Sequence, residues 1–439
     1  MRVLVAGVIL ARLLAPAVAP AATLNTLVQF HGVDGQDVVG NIIGLPGSIL
    51  AAGQSSSTVN QFTKPATAAG AWTNSVIHRF PAFSGDGTYP AGGLIAAGGL
   101  VFGTTSGGGN TACVNGCGTV FQLTPPVTPG GSWTETQLLV MAPDANGFQP
   151  SGTPLMKGST TLFTTAIHAA NDVPRPGSTA GPVGGVVFAL AKPASGTGPW
   201  TETIIHHFDA AALDGDTPFG PLTLAPDHAI YGTSFTGGKC NQGTVFRLTP
   251  PATKGGSWNE TLVHEFGATA TGCDYDDGEQ PVAGVAAAGG KLYGTTRGGT
   301  GLGCGTAFVI TPNATPAYQK IYKFGQTATD ACSPQAPVRV DATGVVFGTS
   351  VFGGSAAHSI ECPSGCGTVY QLTPQAAGQP YVAAVLQSFA GGTDGSEPRS
   401  NLLGGPASGF FGVASHGGFA ADTAVPDYQS FGTLYKFKP

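Results

Sequence analysis

Three short sequence signatures recur in the same order along the chain, and this repetition limits the possible folds more than any other feature. The first is an aromatic residue followed by Gly-Thr-Thr or Gly-Thr-Ser, as in 102–105. The second is an alternating segment that begins with Gly-Thr, as in 118–125, and the third ends in a large apolar residue, as in 204–208. Each occurs seven times, and successive copies of the second begin 58 to 67 residues apart. Such a period predicts an array of like units rather than the roughly three domains that the length would suggest.

Each repeat predicts four short β-strands, which we call a, b, c and d. Strands b, c and d contain the three signatures, and a further apolar run such as Ala91–Ile95 precedes strand b. The alternation of apolar and polar residues in strand c is typical of a half-buried strand. Four antiparallel strands in a repeat of this length are typical of one blade of a β-propeller.

The order of strands at the chain ends predicts that the repeats close into a ring. After residue 22 the chain begins with a single strand d, Thr26–Phe30, and it ends with a single strand c from Gly432 to Lys438. The first strand supplies what the last repeat lacks, whereas an open solenoid would need capping repeats instead. We predict an all-β, seven-bladed β-propeller with four antiparallel strands per blade. Residues 23–439 form this single domain, and the N-terminal strand closes the last blade.

The composition supports an all-β chain and narrows its function. There are 69 Gly and 34 Pro, and charged residues make up 10% of the chain, against about 25% in an ordinary globular domain. Helical bundles and coiled coils need Glu, Lys and Arg on their surfaces, so both are excluded. A net charge of −6 with only 18 basic residues excludes nucleic acid as the partner.

Residues 1–22 are typical of a secretory signal peptide. Arg2 provides a positive charge, Val3–Ala11 are apolar, and small residues precede Ala22. Arg12 interrupts the apolar run well before the ~18 residues that a spanning helix needs; a buried N-terminal helix is the alternative. We expect a secreted or periplasmic monomer with no membrane span after signal cleavage, in a compartment where disulfides form.

The eight cysteines predict four disulfides. In two blades one cysteine lies just before strand c and another just after strand d, two points that an antiparallel c–d hairpin brings together. In two other blades a close pair would staple its own b–c loop. A zinc site is the alternative, but its ligands would have to converge from different blades. The predicted pairs are Cys240–Cys273, Cys304–Cys332, Cys113–Cys117 and Cys362–Cys366.

The recurring motifs resemble a known bacterial family. The combination of aromatic-Gly-Thr-Thr, Gly-Thr-Val-Phe-x-Leu-Thr-Pro, His-x-Phe and Asp-Gly-x-x-Pro is similar to the GloVer (Gloeo/Verruco) tandem repeat of secreted proteins. The resemblance extends over nearly the whole mature chain, although repeats one and three depart from the pattern at 57–60 and 163–165. It implies a secreted, propeller-like protein. It implies no established activity, so it assigns no catalytic residue.

The recurrent aromatic and imidazole side chains of strand d are interpreted as packing residues. Every tryptophan begins a strand d, and three d strands contain a histidine at one shared position. Such equivalent placement favours packing between blades over the alternatives, carbohydrate stacking and ligand chemistry. The Asp-Gly or Asn-Gly pairs between strands d and a are typical turn residues. The tryptophans are Trp72, Trp133, Trp200 and Trp258, and the histidines are His78, His206 and His264.

A variable position at the end of strand b is the candidate ligand site. In a four-stranded blade the b–c and d–a loops emerge on the same face, and strand b ends there in a residue that changes from blade to blade. Binding residues favour loops on a rigid frame, so we predict a ring of ligand-binding residues at the channel mouth. Simple exposure to solvent is the alternative. The predicted residues are Ser106, His168, Thr236, Arg297 and His416, with Phe352 at the same position in blade six.

The d–a loops on this face predict an acidic surface. Seven segments hold 14 of the 24 carboxylates and no Lys or Arg. The densest group surrounds a Gly turn and offers the oxygen ligands that calcium prefers, although its spacing matches no standard calcium loop. We therefore expect cation attraction or a basic protein partner, with Ca²⁺ as the candidate ion. The candidate ligands are Asp274, Asp276, Asp277 and Glu279.

Two functions fit these features. The first is a secreted binding or scaffold module for a glycan, peptide or protein partner, acting through the face with the b–c and d–a loops. The alternative is an extracytoplasmic hydrolase or lyase with its site at the mouth of the central channel. The sequence contains no nucleophile elbow, zinc-protease motif, phosphate loop or dinucleotide fingerprint. The prediction therefore favours a binding protein, with catalytic residues unknown.

Overall fold

In the computed structural model, seven antiparallel sheets of four or five strands form the blades of a β-propeller, and a separate two-stranded sheet lies beside one of them. The model describes residues 22–439, apart from 32–33, 36, 68, 82–84, 129, 145, 170–183, 197, 210–213, 254, 300–302, 314–315, 356–361, 377 and 419–430. Within that part of the chain the regular structure is β-strand, apart from a 3-10 turn at Gly392–Asp394. The predicted fold class is confirmed.

The N-terminal strand is β1 (Thr23–Gln29). Blade one contains β2 (Ile43–Leu45), β3 (Ser48–Gly53), β4 (Thr58–Thr63) and β5 (Thr73–Arg79). Blade two contains β6 (Gly87–Pro90), β7 (Ile95–Ala97), β8 (Leu100–Gly108), β9 (Thr119–Thr124) and β10 (Thr134–Val140). Blade three contains β11 (Phe148–Pro150), β12 (Leu155–Lys157), β13 (Thr161–His168), β14 (Val186–Ala191) and β15 (Thr201–His207).

Blade four contains β16 (Gly215–Leu224), β17 (Ile230–Gly237), β18 (Thr244–Thr249) and β19 (Asn259–Glu265). Blade five contains β20 (Val285–Ala288), β21 (Lys291–Thr295), β22 (Thr306–Thr311) and β23 (Ala317–Lys323). Blade six contains β24 (Ala331–Cys332), β25 (Arg339–Val340), β26 (Val346–Ser350), β27 (Phe352–Gly353), β28 (Thr368–Thr373) and β29 (Val382–Ser388). Blade seven contains β30 (Ser396–Pro398), β31 (Leu403–Gly405), β32 (Gly409–His416) and β33 (Thr433–Lys438).

The N-terminal strand closes the ring as predicted. Strand β1 pairs antiparallel with β33, from Thr23 opposite Lys438 to Gln29 opposite Thr433. The Phe30 N–H then donates to the Gly432 carbonyl at 3.0 Å. Strand β1 is therefore the outermost strand of blade seven, and it covers an edge that would otherwise leave backbone groups unpaired.

The hydrophobic core lies between blades rather than at one centre. Seven buried clusters occur, one at each interface between neighbouring blades, including the interface between blades seven and one. At six interfaces the aromatic residue that ends strand d packs against an aromatic of strand c in the next blade. These pairs have ring centroids 5.0–5.4 Å apart: Phe30–Phe62, Phe80–Phe121, Phe208–Phe246, Phe266–Phe308, Phe324–Tyr370 and Phe389–Tyr435.

The glycine of the first signature makes room for these rings. A Cβ on Gly103 would lie 2.4 Å from the ring of Phe121, and a Cβ on Gly232 would lie 2.3 Å from the ring of Phe246. In these two blades only glycine fits in strand b opposite the phenylalanine of strand c, whereas in blade three Thr164 lies opposite Phe188. The residues of the three recurring signatures thus pack together at the interface between neighbouring blades.

The tryptophans pack between blades, as interpreted from their repetition. Trp200, at the start of strand d in blade three, lies 6.2 Å from Phe102 in strand b of blade two. Trp258 lies 5.8 Å from Phe163 in the same way, one blade further on. In each case the aromatic residue of the first signature is the partner.

The four predicted disulfides are all present: Cys240–Cys273, Cys304–Cys332, Cys113–Cys117 and Cys362–Cys366. The Asp-Gly pairs act as turns. The N–H of Gly87 donates to the Asp86 carboxylate at 2.8 Å, and the N–H of Gly215 donates to Asp214 at 2.6 Å. These contacts are the local capping expected of Asp before Gly.

Candidate functional site

A cavity of about 600 Å³ lies among the blades, and all seven contribute to its wall. The d–a loops or first residues of strand a contribute from every blade, and the end of strand b contributes from blades one to five. The cavity therefore lies at the face that carries the d–a and b–c loops. Its wall at the ends of the b strands consists of Gln54, Ser106, Gly107, Ile167, Phe235 and Arg297.

Two of the five predicted ring residues lie in this wall. Ser106 and Arg297 line the cavity, but in blades three and four the lining residue is Ile167 or Phe235, one position before His168 or Thr236. Neighbouring residues of a strand point to opposite faces, so a shift of one position moves the side chain away. Counting four residues from the aromatic of the first signature identifies the lining position in blades two to five. The ligand-binding role of these residues stays a prediction.

The other predicted ring residues contact protein groups beside the cavity. The His168 ring lies 5.2 Å from that of Phe148, and Thr236 donates to Asp216 at 3.0 Å. His416 lies 3.3 Å from the carboxylate of Asp37. Phe352 belongs to β27, where it pairs with Cys332. These four residues therefore belong to the frame around the cavity in the described structure.

A ring of left-handed backbone conformations surrounds the cavity, and the sequence interpretation missed it. The d–a turn that enters each blade has one non-glycine residue with φ between 52° and 58°, two positions after the residue that follows Asp or Asn. Such conformations are uncommon outside glycine and cost about 1–3 kcal/mol each. In six blades a proline follows the residue, so the Asp-Gly-x-x-Pro motif was the available signal. The residues are Asp37, Tyr89, Gln149, Thr217, Gln280, Ser333 and Glu397.

This ring of residues also joins the blades, and part of it faces the cavity. In five blades the N–H of the residue donates to the carbonyl just before the glycine of strand c in the preceding blade, at 2.7–2.9 Å. Tyr89, Gln149 and Thr217 line the cavity. The hydrogen bonds between blades offset the backbone strain, and they hold this part of the wall in place.

The charge of the cavity wall is positive. Arg297 and Arg399 are its charged side chains, and the described lining contains no carboxylate. The Arg297 guanidinium lies 5.4 Å from the centre of the Phe235 ring, a cation–π contact. Arg399 binds the carboxylate of Glu397 at 2.6 Å.

Two lining residues have buried polar atoms without a hydrogen-bond partner in the described structure. They are Nε of Arg399 and Oδ1 of Asn41, one donor and one acceptor. Leaving such an atom unpaired costs about 1–3 kcal/mol. A polar ligand or water that bound them would recover this free energy.

The candidate calcium ligands do not converge on a common point. Asp276 pairs with Lys320 and Lys323, each at 2.6 Å, and hydrogen bonds from these lysines lower the pKa of Asp276 to about 2. Asp277 binds Nε2 of His264 at 2.7 Å. The d–a loops contain no Lys or Arg, as the sequence shows, but strand d of the neighbouring blade supplies them. The geometry therefore gives no support to a calcium ion shared by Asp274, Asp276, Asp277 and Glu279.

The histidines of strand d bind carboxylates of the d–a turns, whereas the sequence interpretation assigned them to packing between blades. His206 Nε2 lies 2.9 Å from Asp214, and His78 Nε2 lies 3.4 Å from Asp86. In blade five a tyrosine replaces the histidine, and the Tyr322 hydroxyl donates to Asp330 at 2.9 Å. In blades one, three, four and five a side chain of strand d therefore binds the turn that leads to the next blade.

The carboxyl groups with strongly raised pKa values lie in strand d, outside the cavity wall. Burial, together with a neighbouring aspartate, raises the pKa of Glu135 and Glu202 to about 7 and that of Glu260 to about 8. Glu260 lies beside Asp214, at the interface between blades three and four. Within the described structure this interface holds a group of metal-ligating side chains: His206, Asp214 and Glu260, whose donor atoms lie within 4.8 Å of one another.

Two solved structures are similar to this chain over almost their whole length. A streptogramin B lyase structure is 14% identical; the alignment covers 95% of this chain and 97% of that chain, with a TM-score of 0.52. A catalytically inactive variant of virginiamycin B lyase from Staphylococcus aureus, with quinupristin, is 12% identical; coverage is 95% and 99%, and the TM-score is 0.52. At such identities the likeness shows the propeller fold alone. No curated protein matches the sequence.

Among the described residues, no helix is long and apolar enough to cross a membrane. The four disulfides fit a protein of an oxidising compartment. The family model of the Gloeobacter/Verrucomicrobia repeat matches residues 172–426, more than half of the chain. Together with the seven-fold recurrence of the signatures, this match shows that the chain belongs to the Gloeobacter/Verrucomicrobia repeat family.

Proposed function

We propose that this protein is a secreted binding module whose cavity holds an anionic group of a glycan or peptide. The observation that supports this most directly is the charge of the wall: Arg297 and Arg399 are its charged residues, and only Arg399 pairs with a carboxylate, that of Glu397 outside the described lining. Guanidinium groups bind carboxylates and sulfates through paired hydrogen bonds. Hydrogen bonds to charged groups contribute about 1.5–3 kcal/mol each.

The two arginines are available to a ligand in different ways. Arg297 is exposed and forms no ion pair within the described structure, so its charge is not neutralised. One terminal nitrogen of Arg399 binds the Glu397 carboxylate, while its Nε has no hydrogen-bond partner in the described structure. An anion in the cavity would bind both guanidinium groups without first displacing a carboxylate from Arg297.

The remaining wall suits a ligand with a flat or apolar part. Tyr89 is 39% exposed and Phe219 is 40% exposed, and both line the cavity with Phe235. Aromatic faces of this kind pack against sugar rings and apolar side chains, while the amides and hydroxyls around them supply hydrogen bonds. A volume of about 600 Å³ is typical of sites for small ligands.

Binding is favoured over hydrolysis or elimination because of where the titratable groups lie. General acid–base chemistry needs a group whose pKa is tuned near neutral pH and which reaches the substrate. The carboxyl groups that meet the first condition, Glu135, Glu202 and Glu260, lie in strand d rather than in the cavity wall. A basic protein partner, the other expectation, would compete for carboxylates that already bind Lys320, Lys323 and His264.

Export of the chain is part of the proposal. Residues 1–22 supply the signal features, and four disulfides would form after export. Determining the N-terminal residue of protein recovered outside the cytoplasm would test this. We expect processing close to residue 22, and an unprocessed chain that begins at Met1 would contradict it.

The binding proposal is tested by calorimetry on the mature chain with pairs of ligands matched in size. One pair is a neutral and a uronate-containing oligosaccharide, and another is a short peptide with a free or an amidated C-terminal carboxylate. We expect binding of the anionic member of at least one pair. Arg297→Gln and Arg399→Gln should each weaken it at least about tenfold, the loss of one charged hydrogen bond.

Lys291→Gln is the matched control, because Lys291 is exposed beside the a–b loop on the opposite face. It removes the same charge without touching the cavity and should leave the affinity unchanged. Equal binding of neutral and anionic ligands, or arginine variants that bind as the parent does, would contradict the proposal.

A further inference from the structure

Three metal-ligating side chains meet at the outer edge of the interface between blades three and four. His206 belongs to strand d of blade three, and Glu260 belongs to strand d of blade four. Asp214 lies in the loop that joins the two blades. Their donor atoms all lie within 4.8 Å of one another. Among the described residues, this is the group of His, Cys, Asp and Glu side chains close enough together to hold a metal ion.

We propose that His206, Asp214 and Glu260 bind one divalent transition-metal ion, with Zn²⁺ as the best match, and that this ion links blades three and four. One imidazole nitrogen and two carboxylate oxygens are a common ligand set for zinc, whereas calcium prefers oxygen ligands only. Solvent would complete the coordination. The inference is independent of the proposed ligand cavity, because none of these residues lies in the cavity wall.

The distances are compatible with an ion at the centre of the three groups. Around tetrahedral zinc, with bonds of about 2.0–2.2 Å, neighbouring donor atoms lie about 3.3 Å apart. His206 Nε2 and Asp214 Oδ2 are 2.9 Å apart, and the remaining separations are at most 4.8 Å. Small rotations of the side chains would bring all three donors to an ion.

The charges at this site are unbalanced without an ion. Oε1 of Glu260 is buried and has no hydrogen-bond partner in the described structure. Asp214 is 13% exposed and lies beside it, and neither carboxyl forms an ion pair with a lysine or arginine of the described residues. A bound dication would neutralise both carboxylates and satisfy the unpaired oxygen.

The next interface shows that the fold does not require a glutamate at this position. Between blades four and five, Tyr318 occupies the place of Glu260, four residues before the d-strand residue that binds the turn. Its ring lies flat on His264, with centroids 3.6 Å apart, and its hydroxyl donates to the Asp277 carbonyl at 3.5 Å. There the neutral hydroxyl and the ring of Tyr318 fill the interface, and no carboxylate replaces Glu260 as a metal ligand.

A third interface provides the matched control. Between blades two and three, Glu202 occupies the place of Glu260, but Leu139 replaces the histidine and Asn146 replaces the aspartate. Asn146 donates to Glu202 at 3.2 Å. This site keeps the glutamate and lacks the other two ligands, so we expect no ion there.

The test uses the untagged mature chain, treated with a chelator and dialysed, and titrated with ZnCl₂. We expect one zinc per chain by calorimetry and metal analysis, and a higher melting temperature with zinc than with an equal concentration of CaCl₂. Co²⁺ in place of zinc should show the visible absorption of a four-coordinate site. Glu260→Gln should weaken zinc binding at least about 100-fold and remove the rise in melting temperature, whereas Glu202→Gln should change neither.

His206→Gln is the second variant, in case Glu260→Gln alters the fold. Circular dichroism and the melting temperature without metal establish that each variant is folded. The proposal is overturned if the parent chain binds no zinc, or if folded Glu260→Gln and His206→Gln variants bind zinc as the parent does. It is also overturned if Glu202→Gln abolishes binding, since the ion would then lie elsewhere.

Discussion

Pro150 of blade three closes over Gly118 of blade two so tightly that a Cβ added to Gly118 would lie 2.6 Å from the proline Cδ. Beside this contact, the Gln149 N–H donates to the Cys117 carbonyl at 2.7 Å. The same glycine–proline contact recurs at other interfaces, with Cβ to Cδ distances of 2.5–2.8 Å: Gly185–Pro218, Gly243–Pro281 and Gly367–Pro398. The glycine that begins strand c and the proline of Asp-Gly-x-x-Pro are therefore two sides of one contact between blades.

Gly118→Ala should destabilise the protein by about 2–5 kcal/mol. Gly118 has a φ of +90°, which costs alanine about 1–2 kcal/mol, and close contacts of the added Cβ with the Thr105 carbonyl (2.4 Å) and with Pro150 (2.6 Å) add a steric cost of about 1–3 kcal/mol. Gly130→Ala is the control, because its φ is +79° and no atom lies within 4 Å of an added Cβ. It should cost only about 1–2 kcal/mol. Urea denaturation measures the free energy of unfolding of both variants. Equal decreases in the two would contradict a steric role for the close contacts at Gly118.

Removing residues 23–38 should open the ring. Without β1, strand β33 loses its antiparallel partner and becomes an exposed edge, and the buried Phe30–Phe62 contact is lost. We expect a large fall in melting temperature, or aggregation seen by gel filtration. A synthetic peptide of residues 23–38, added to the shortened chain, should restore part of the stability. A shortened chain that melts like the parent would show that closure by β1 contributes nothing.

The long disulfides should stabilise the protein more than the short ones. Cys240–Cys273 joins residues 33 positions apart, while Cys113–Cys117 joins residues four positions apart. In the chain-entropy model these loops correspond to about 4 and about 2 kcal/mol. Paired Cys→Ser variants at each site, compared by urea denaturation under non-reducing conditions, test the difference. A larger loss at the short pair would show that loop length does not govern their contributions.

The stability of the protein should depend on the ionisation of Glu202. Burial and the nearby Asp144 raise its pKa to about 7 from the usual 4.5. The folded state therefore binds this proton more tightly, so the stabilisation is complete below about pH 4.5 and is lost as the pH rises through about 7. Glu202→Gln keeps an oxygen that accepts the Asn146 hydrogen bond and has no charge to bury.

At pH 8 the Glu202→Gln variant should be more stable than the parent by about 1 kcal/mol, a value reduced for the partial exposure of the side chain. At pH 5 the difference should shrink, because Glu202 is then protonated in the folded parent. Urea denaturation at both pH values measures it. Parallel pH profiles for parent and variant would show that Glu202 does not titrate in this range.

Much of the fold could be read from the sequence because its repeats are local and numerous. Each of the three signatures occurs seven times. A motif that would be weak evidence for a strand on its own becomes strong evidence when it recurs at a regular spacing. The unpaired strands at the two ends, Thr26–Phe30 and the segment from Gly432, predicted the closure that β1 and β33 make. The pairing of Cys240 with Cys273 followed from the geometry of a c–d hairpin and is present.

The candidate site was predicted less well, because its position depends on single residues. Ser106 and Arg297 line the cavity, but a shift of one residue separates His168 from Ile167 and Thr236 from Phe235. The end of strand b varies from blade to blade, whereas the aromatic of the first signature lies four positions before the lining residue in blades two to five. The pairing of one loop carboxylate also depends on distant residues: Asp276 lies in an acidic loop, and its lysine partners lie 44 and 47 residues later in the sequence.

The sequence by itself determined the number of blades, the strands within each and the way the ring closes, because these depend on patterns that repeat along the chain. Only the tertiary structure decided which side chains meet across blades. Arg297 and Arg399 are 102 positions apart and face one cavity, and His206 and Glu260 are 54 positions apart and meet at one interface. Such meetings depend on the curvature of the ring, which no local pattern encodes.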